Sequence, residues 1–217
     1  AAWFRIAAKI SVDDWSKNTE WQQRNEQSRY LSTNHLYGKG YWTWLIPLSS
    51  GSTSIGIVAD ERFHAYKSIN TFEKAREWLK KNEPQCSAMV EENLDCFQDF
   101  LALKQFSYSC KQLYSEDGWC LAGDSGMFLD PLYSPGSDFI GMNNGFITDI
   151  ISKALAGQNI SVEVKEHERT FRSIFVGFLP IYEDQYPTMA NSKVMSSKFI
   201  WDLMMYWGGI GPIYFNQ

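Results

Sequence analysis

One stretch of this chain constrains its fold and function more than any other: GDSGMFLDPLYSPGSDFIG, residues 123–141. It follows the short apolar run WCLA and precedes MNNGFITDIISKAL, whose apolar residues recur at helical spacing. A strand, a turn rich in glycine and proline, and a helix in succession are typical of cofactor sites in α/β proteins. The same stretch holds three aspartates, Asp124, Asp130 and Asp138, among residues that shape the backbone.

The three aspartates suggest different roles. Asp124 would lie at the carboxyl end of the predicted strand, where a carboxylate repels phosphate and instead accepts hydrogen bonds from cofactor hydroxyl groups. Gly123 and Gly126 would let the backbone approach that ligand closely. Asp130 precedes a proline and is expected in a stiffened turn beside the cofactor, as part of the cofactor site, although it is also explained as an ordinary turn residue. We therefore expect Asp124 to be the cofactor ligand of the three.

The start of the following helix has two interpretations. Its first N–H groups, from Gly136 and Ser137, would carry the positive end of the helix dipole and stabilise a delocalised anion such as a reduced flavin ring. Pro131 and Pro135 would stiffen the loop against such a planar ring. The alternative is an ordinary capped helix, with Ser137 as N-cap and Asp138 favouring the dipole.

A β-hairpin is predicted upstream, in YWTWLIPLSSGSTSIGIVAD, residues 41–60. Trp42, Trp44 and Ile46 alternate onto one face, and SSGS supplies the turn. Pro47 has no N–H to donate and is expected at an edge or a strand end. Considered alone, Trp42 and Trp44 are ordinary core residues of a hairpin.

The other segments mix helices with strands. A helix is predicted in NTFEKAREWLKKNEP, with Asn70 as its cap, Glu73 completing a capping box and Pro84 marking its end. Residues 87–103 predict a second helix and residues 104–115 an alternating strand.

Further along, GWCLA predicts a short buried strand. The helix after the opening stretch is expected to end at Gly157, and the remainder of the chain is expected to be helical. Its buried face is predicted to be Ile140, Ile147, Ile151 and Ala154. This pattern indicates a mixed α/β fold in which an α/β layer joins an antiparallel sheet.

Composition excludes several function classes. The net charge is −5 and no run of five basic residues occurs, so nucleic acid is not an expected partner. The four cysteines form no C-x-x-C pair and the three histidines are scattered, which predicts no metal site and reduced thiols in a cytoplasmic protein. The apolar stretch 199–215 is interrupted by Asp202 and Pro212 and predicts a buried helix or pocket wall, so no membrane partner is expected.

Two sequence motifs, in the expected order, resemble those of the flavin-dependent halogenases, the tryptophan halogenase-like family. GDSGMFLDPLYSPG resembles the second FAD-binding motif of that family, G-[DN]-A-x-x-F-x-[DE]-P-L-x-S-x-G. WTWLIP, residues 42–47, resembles the family's W-x-W-x-I-P signature. The resemblance covers residues 30–157 and implies part of a Rossmann-like FAD-binding domain, an antiparallel substrate-domain sheet and a helical C-terminal part.

The resemblance implies a reaction and its partners. In that family reduced FAD from a separate flavin reductase, O2 and a halide ion generate hypohalous acid, which reaches an active-site lysine and then halogenates a small aromatic substrate. Carried onto this chain, Asp124 would hold the ribityl part of FAD. The segment 131–137, with Ser134, Gly136 and Ser137, would line the isoalloxazine, and Trp42 and Trp44 would form the tunnel wall.

This chain departs from the family at two positions of the second motif. Tryptophan-specific members carry a catalytic glutamate where this chain has Tyr133, which implies a phenol- or pyrrole-type substrate rather than tryptophan. The family's halide-binding threonine is replaced by Pro135, which has neither hydroxyl nor N–H. Ser134 and the N–H of Gly136 are the candidate halide contacts that remain.

Two family elements have no counterpart in the sequence. No G-x-G-x-x-G fingerprint occurs, and neither Lys9 nor Lys39 stands in the context of the active-site lysine, which is expected upstream of this chain. We therefore expect an incomplete chain that is inactive alone, with a substrate-side sheet in 1–116, part of the FAD-binding domain in 117–157 and a helical region in 158–217. A flavin monooxygenase or oxidoreductase of the same fold, without halide use, and a non-catalytic truncated chain are the alternatives.

Overall fold

The structure of this protein is a computed structural model, and it describes residues 1–212. The chain divides into two compact units. The first comprises Ala1–Lys104 with Tyr186–Ser197, and the second comprises Gln105–Gln185 with Lys198–Gln217. The mixed α/β fold predicted from the sequence is confirmed, with an antiparallel sheet and a helical C-terminal part.

The first unit is built on a five-stranded antiparallel sheet with strand order β2-β3-β4-β1-β5. The strands are β1 (Ala2–Ile6), β2 (Asn34–Gly38), β3 (Tyr41–Pro47), β4 (Thr53–Ala59) and β5 (Phe97–Ala102). The predicted hairpin is confirmed as β3 and β4, with Pro47 at the end of its strand. Gly51 occupies the turn at φ +82°, a backbone region that glycine adopts without steric cost.

One face of this sheet forms an apolar core. Phe4, Leu45, Ile55 and Ile57 are at most 1% exposed because helices cover that face. The helices are α2 (Phe72–Asn82) and α3 (Pro84–Glu92). The opposite face carries the indoles of the hairpin, since side chains alternate along a strand.

The predicted helix before Pro84 is confirmed, but its predicted cap is wrong. Thr71, not Asn70, is the N-cap of α2, and its Oγ1 accepts the Lys74 N–H at 3.4 Å. The cap lies one residue later because Thr71 has extended backbone while Phe72 is already helical. Glu73 lies in the first turn, so it is not the third residue of a box that starts at Asn70.

Two further secondary-structure predictions are wrong in part. The second helix ends at Glu92, and the residues after it form β5, which pairs with β1. The predicted strand 104–115 forms only β6 (Tyr114–Ser115) and one isolated bridge between Tyr108 and Phe128. Local pattern was insufficient in both places, because tertiary pairing decides whether a short apolar run becomes a strand.

The polar stretch after β1 is held by Arg29. It contains the short helix α1 (Thr19–Gln23). The Arg29 Nη1 lies 2.9 Å from Asp13 Oδ1, and its guanidinium carbon lies 3.9 Å from the Trp21 ring centroid. An ion pair and a cation–π contact therefore fix a segment that has little apolar surface of its own.

The second unit is mainly helical. It contains the two-stranded sheet of β6 and β7 (Trp119–Cys120), followed by α4 (Gly136–Leu155) and α5 (Ser161–Tyr182). The helix α6 (Ser192–Met205) begins in the first unit, and from Lys198 onward it belongs to the second. A π-helical turn, Tyr206–Ile210, follows it. The predicted strand GWCLA is confirmed as β7, but it is not buried, since Trp119 is 41% exposed.

The predicted buried face of α4 is wrong in part. Ile140 and Ile147 are half-buried, but Ile151 is 49% exposed and Ala154 is also exposed. The buried residues of the helix are Phe139, Met142, Asn143 and Ile150. Phe139 packs against Phe171, Phe175 and Phe178 of α5 at centroid distances of 5.1–5.8 Å, which favours this orientation.

The predicted end of α4 at Gly157 is close to the structure. The helix ends at Leu155, and Gly157 has φ +72°, as is common just after a helix. Among residues 1–212 no helix is long and apolar enough to cross a membrane. The last part of the apolar stretch 199–215, from residue 213 onward, lies outside the described residues.

Candidate functional site

The loop between β7 and α4 begins with a single helical turn, Gly123–Ser125, two residues after β7. The hydroxyl of Tyr108 donates to the backbone carbonyl of Asp124, and Gly123 has φ +59°. Gly126 has a packing role rather than the predicted ligand contact, because a Cβ there would lie 2.3 Å from Leu113 Cδ2. The turn is therefore held by the hydrogen bond from Tyr108 and by the packing of Gly126 against Leu113.

The carboxylate of Asp124 lies beside the start of α4. A Cβ placed on Gly136 would be 3.8 Å from Asp124 Oδ1 and 4.0 Å from the ring of Phe128. Asp124 is exposed, so its oxygens remain accessible as hydrogen-bond acceptors. The structure thus brings together two residues of the predicted cofactor site that are twelve positions apart in the chain.

Asp130 has a structural role in the loop. It is 7% exposed, and its Oδ1 accepts the Leu132 N–H at 2.9 Å, which closes a turn around Pro131. Leu132 is fully buried. An aspartate side chain that bonds the backbone two residues on fixes a turn tightly.

The next two residues have strained backbone. Tyr133 has φ +66° and Ser134 has φ +56°, the left-handed region that non-glycine residues rarely adopt. The Ser134 N–H donates to the Pro131 carbonyl at 3.0 Å, which holds the pair in place. Left-handed non-glycine residues cost free energy and concentrate at ligand sites, where the surrounding structure enforces them.

Pro135, not Ser137, occupies the N-cap position of α4, so the predicted N-cap is wrong. Its carbonyl accepts the N–H groups of Asp138 and Phe139, both at 3.1 Å. Pro135 has helical backbone already, which places Ser137 inside the first turn. Among the described residues, no protein acceptor faces the N–H of Gly136 or Ser137, so both carry the positive end of the helix dipole. Asp138 lies in this first turn, as predicted.

A cavity of about 280 Å³ opens next to Tyr133 within the second unit. Six aromatic rings contribute to its walls, and they belong to Tyr133, Phe178, Tyr182, Phe199, Tyr206 and Trp207. The rings of Tyr133 and Phe199 meet edge to face with centroids 6.0 Å apart. Pro135 also lines the cavity, so the loop and the pocket are continuous.

The phenol of Tyr182 connects the pocket to the loop. Its hydroxyl donates to the Leu132 carbonyl at 3.1 Å. Burial raises the pKa of Tyr182, and the carboxylates of Asp130, Asp202 and Asp138 raise it further. The phenol is therefore neutral, and the charge around it is negative.

In the first unit the two signature tryptophans lie side by side with ring centroids 5.6 Å apart. Trp42 is 1% exposed, and its Nε1 donates to the Tyr186 hydroxyl at 3.1 Å. Trp44 is half-buried and donates to Ser54 Oγ at 3.1 Å. His35 meets Trp42 edge to face at 5.1 Å, and burial lowers its pKa to about 4, which keeps the imidazole neutral at pH 7.

Comparisons with known proteins give a consistent result. No protein-family model matches the chain. It is 25% identical over 189 residues to the flavin-dependent halogenase chlA of Dictyostelium discoideum. The aligned region covers 85% of this chain and 31% of that protein. It is 32% identical over 130 residues to the 1H-pyrrole-2-carbonyl-(peptidyl-carrier protein) brominase of Pseudoalteromonas luteoviolacea, covering 59% of this chain and 31% of that protein. The chain is similar to flavin-dependent halogenases over most of its length.

The fold is similar to that of a solved halogenase. The crystal structure of halogenase PltM in complex with phloroglucinol and FAD superposes with a TM-score of 0.60 at 19% identity, covering 77% of this chain and 34% of that one. The chain spans about a third of the length of the curated halogenases it matches.

Sequence reasoning missed several residues of this site. The pocket wall from α5, including Phe178, was not predicted, because its spacing is that of ordinary helix core. The stretch 199–215, which contains Asp202, was expected to be a buried helix or a pocket wall. Tyr206 and Trp207 line the pocket, but Trp201 is 65% exposed, and residues 213–215 of that stretch lie outside the described residues.

Proposed function

We propose that the protein to which this chain belongs uses reduced FAD, O2 and a halide ion to halogenate an electron-rich aromatic substrate other than tryptophan. The observation that carries this proposal is the loop between β7 and α4. It holds the carboxylate of Asp124 beside Gly136 and leads through a strained pair, Tyr133 and Ser134, into an aromatic pocket.

The residues of this loop fit a flavin. The N–H groups of Gly136 and Ser137 face no protein acceptor among the described residues, and they would stabilise the negative charge of a reduced isoalloxazine. Asp124 offers an exposed acceptor for hydroxyl groups of the ribityl chain. Gly136 has no Cβ to obstruct the approach, and Pro131 with Asp130 keeps the loop rigid.

FAD, when bound, would supply the oxidising chemistry. The chain's own residues would position the reactants. Tyr133 would turn its ring toward the substrate side, since it lines the cavity. Ser134 and the Gly136 N–H remain the proposed halide contacts, and Trp42 and Trp44 the proposed wall of a path from flavin to substrate. We assign residues 117–157 to the FAD-binding part of the protein.

The substrate class follows from Tyr133. A carboxylate at this position would orient a substrate N–H, whereas a phenol offers an aromatic face and a hydroxyl. The brominase among the relatives is named for a pyrrole, and the PltM crystal structure contains phloroglucinol. Both support a small electron-rich ring, and a separate flavin reductase would provide reduced FAD.

The test uses the protein encoded by the complete reading frame, with FAD, a flavin reductase, NADH, air and bromide. Phenol- and pyrrole-type substrates are incubated with it, and the products are analysed by mass spectrometry. A product with the bromine isotope pattern is the expected result. A chloride-only reaction with the same substrate gives the matching chlorinated product.

A flavin monooxygenase without halide use is the second candidate, and Pro135 favours it. Proline has neither the hydroxyl nor the N–H with which the family's threonine holds halide. The same assay distinguishes the two, because a monooxygenase gives a hydroxylated ring whether or not bromide is present. Hydroxylated product alone would overturn the halogenase proposal.

A further inference from the structure

The aromatic pocket beside Tyr133 carries a negative charge as well as rings. Asp138 and Asp202 both line it. The carboxylate of Asp202 is neutralised by Lys198, whose Nζ lies 2.5 Å from Oδ2 and also donates to the Ile181 carbonyl at 2.8 Å. Both side chains of this pair are at least nine-tenths buried, with 9% and 8% exposure.

Asp138 differs from Asp202 in having no such partner. Among residues 1–212 no hydrogen bond or ion pair reaches its carboxylate. Asp202 is paired with Lys198, so Asp138, in the first turn of α4, is the carboxylate of the pocket without a cationic side chain beside it among the described residues. Burial is the main cause of the raised pKa of Tyr182, and the carboxylates of Asp130, Asp202 and Asp138 raise it further.

Aromatic faces and a carboxylate attract the same type of ligand. The ring quadrupole presents negative charge at its face, so aromatic walls stabilise a cation, and a nearby carboxylate adds to that attraction. An anionic ligand would instead meet repulsion from Asp138 and from the ring faces.

We propose that this pocket binds the aromatic substrate by a protonated amine, with the ammonium against Asp138 and the ring among the aromatic walls of α5 and α6. This inference rests on the proposed function. The cavity of about 280 Å³ is at the lower end of the range of small-molecule sites, roughly 300–1,000 Å³. The ligand is therefore a compact arylalkylamine rather than a large or carboxylated aromatic.

Three phenols that differ only in the charge of their side chain test this inference. They are tyramine, 4-ethylphenol and 3-(4-hydroxyphenyl)propanoate. Binding to the protein of the complete reading frame is measured by isothermal titration calorimetry at pH 7 without reductase, so no turnover is required. Tyramine is expected to bind about tenfold more tightly than 4-ethylphenol, and the propanoate most weakly.

Two variants assign the effect to Asp138. Asp138→Asn keeps the side-chain shape and should reduce the tyramine preference to less than twofold without changing 4-ethylphenol binding. Glu166→Gln removes an exposed carboxylate of α5 outside the pocket and should leave all three affinities unchanged. If Asp138→Asn unfolds the protein, salt titration of the unmodified protein replaces it, because added salt weakens tyramine binding selectively.

Equal affinities for tyramine and 4-ethylphenol would overturn the inference, and so would a tyramine preference that survives Asp138→Asn. These outcomes are independent of the proposed function. If the protein halogenates substrates but does not prefer tyramine, only the inference about the amine is wrong. If it prefers tyramine but gives no halogenated product, only the halogenase proposal is wrong.

Discussion

The indole of Trp44 lies directly over the Cα of Gly56 on the neighbouring strand, where a Cβ would come within 2.1 Å of ring atom Cζ2. The two residues are paired in the register of β3 and β4. Gly56 therefore determines how Trp44 lies across the sheet, and the ring in turn meets Trp42 and Trp3 at centroid distances of 5.6 and 6.5 Å. The orientation of the signature tryptophans depends on a residue outside the signature.

Gly56→Ala should displace the Trp44 ring and destabilise the protein by about 1–3 kcal/mol, the usual cost of inserting a methyl group into a packed site. Urea unfolding followed by tryptophan fluorescence measures the change. In the background Trp44→Ala the same substitution should cost less than about 1 kcal/mol, since the clash is gone. Equal costs in the two backgrounds would show that the ring does not depend on Gly56.

Asp124→Ala should weaken FAD binding by about 1–3 kcal/mol, as expected when hydrogen bonds to a carboxylate are lost. The measurement is a fluorescence titration of FAD into the protein of the complete reading frame. Glu166→Ala, which also removes one exposed carboxylate from the second unit, is the matched control and should bind FAD normally. Unchanged FAD affinity in Asp124→Ala would remove this residue from the site.

Ser134→Gly should stabilise the protein by about 0.5–1 kcal/mol. Glycine adopts φ +56° without strain, and this gain exceeds its greater freedom in the unfolded chain. The same substitution at Ser152, inside α4, should destabilise by about 0.5 kcal/mol, because the backbone there is helical. Urea unfolding of both variants measures whether the two changes in the free energy of unfolding have opposite signs. A loss of stability in Ser134→Gly would contradict the backbone strain inferred at Ser134.

Acid should weaken the segment held by Asp13. Hydrogen bonds from the Ser28 hydroxyl and from Arg29 lower the pKa of Asp13 to about 2. A lowered folded-state pKa contributes stability above the unfolded value, about 3.9, and that stability is lost as the pH falls through the folded value. Asp13→Asn should therefore cost about 1 kcal/mol at pH 7 and little near pH 2.

Urea midpoints of the unmodified protein and of Asp13→Asn at pH 7, 4 and 2.5 test this dependence. Asp14→Asn is the neighbouring control, since Asp14 is exposed. A constant difference between the unmodified protein and Asp13→Asn across this pH range would show that the ion pair does not contribute through its charge.

The elements that the sequence predicted well have strong local signals. The hairpin β3–β4 combines alternation with a glycine turn, and α2 combines helical spacing with Pro84 at its end. The loop before α4 was located correctly because glycine and proline restrict the backbone so narrowly. The motif in that loop also pointed to the flavin-dependent halogenases, and the comparisons show that the chain is similar to them.

The predictions that failed depend on distant partners. β5 is a strand because β1 pairs with it, and its own residues do not distinguish strand from helix. The rings of α5 determine which face of α4 is buried. The periodicity of the α4 sequence gives no information about those rings. The contact of Tyr133 with Phe199 in the pocket was not predicted for the same reason, since the packing of three helices and a loop brings the two rings together.

The pocket is lined by residues of a loop and by residues of helices, and the two groups differ in how well they tolerate substitution. The loop contribution, Tyr133 and Pro135, is locked by backbone strain and by the buried turn of Asp130, so few substitutions are compatible with its shape. Phe178, Phe199 and Leu203 stand on regular helices, where one side chain replaces another without moving the backbone. A mutagenesis library that fixes residues 130–136 and varies these helical positions is therefore expected to change the shape of the pocket without disturbing the loop beside it.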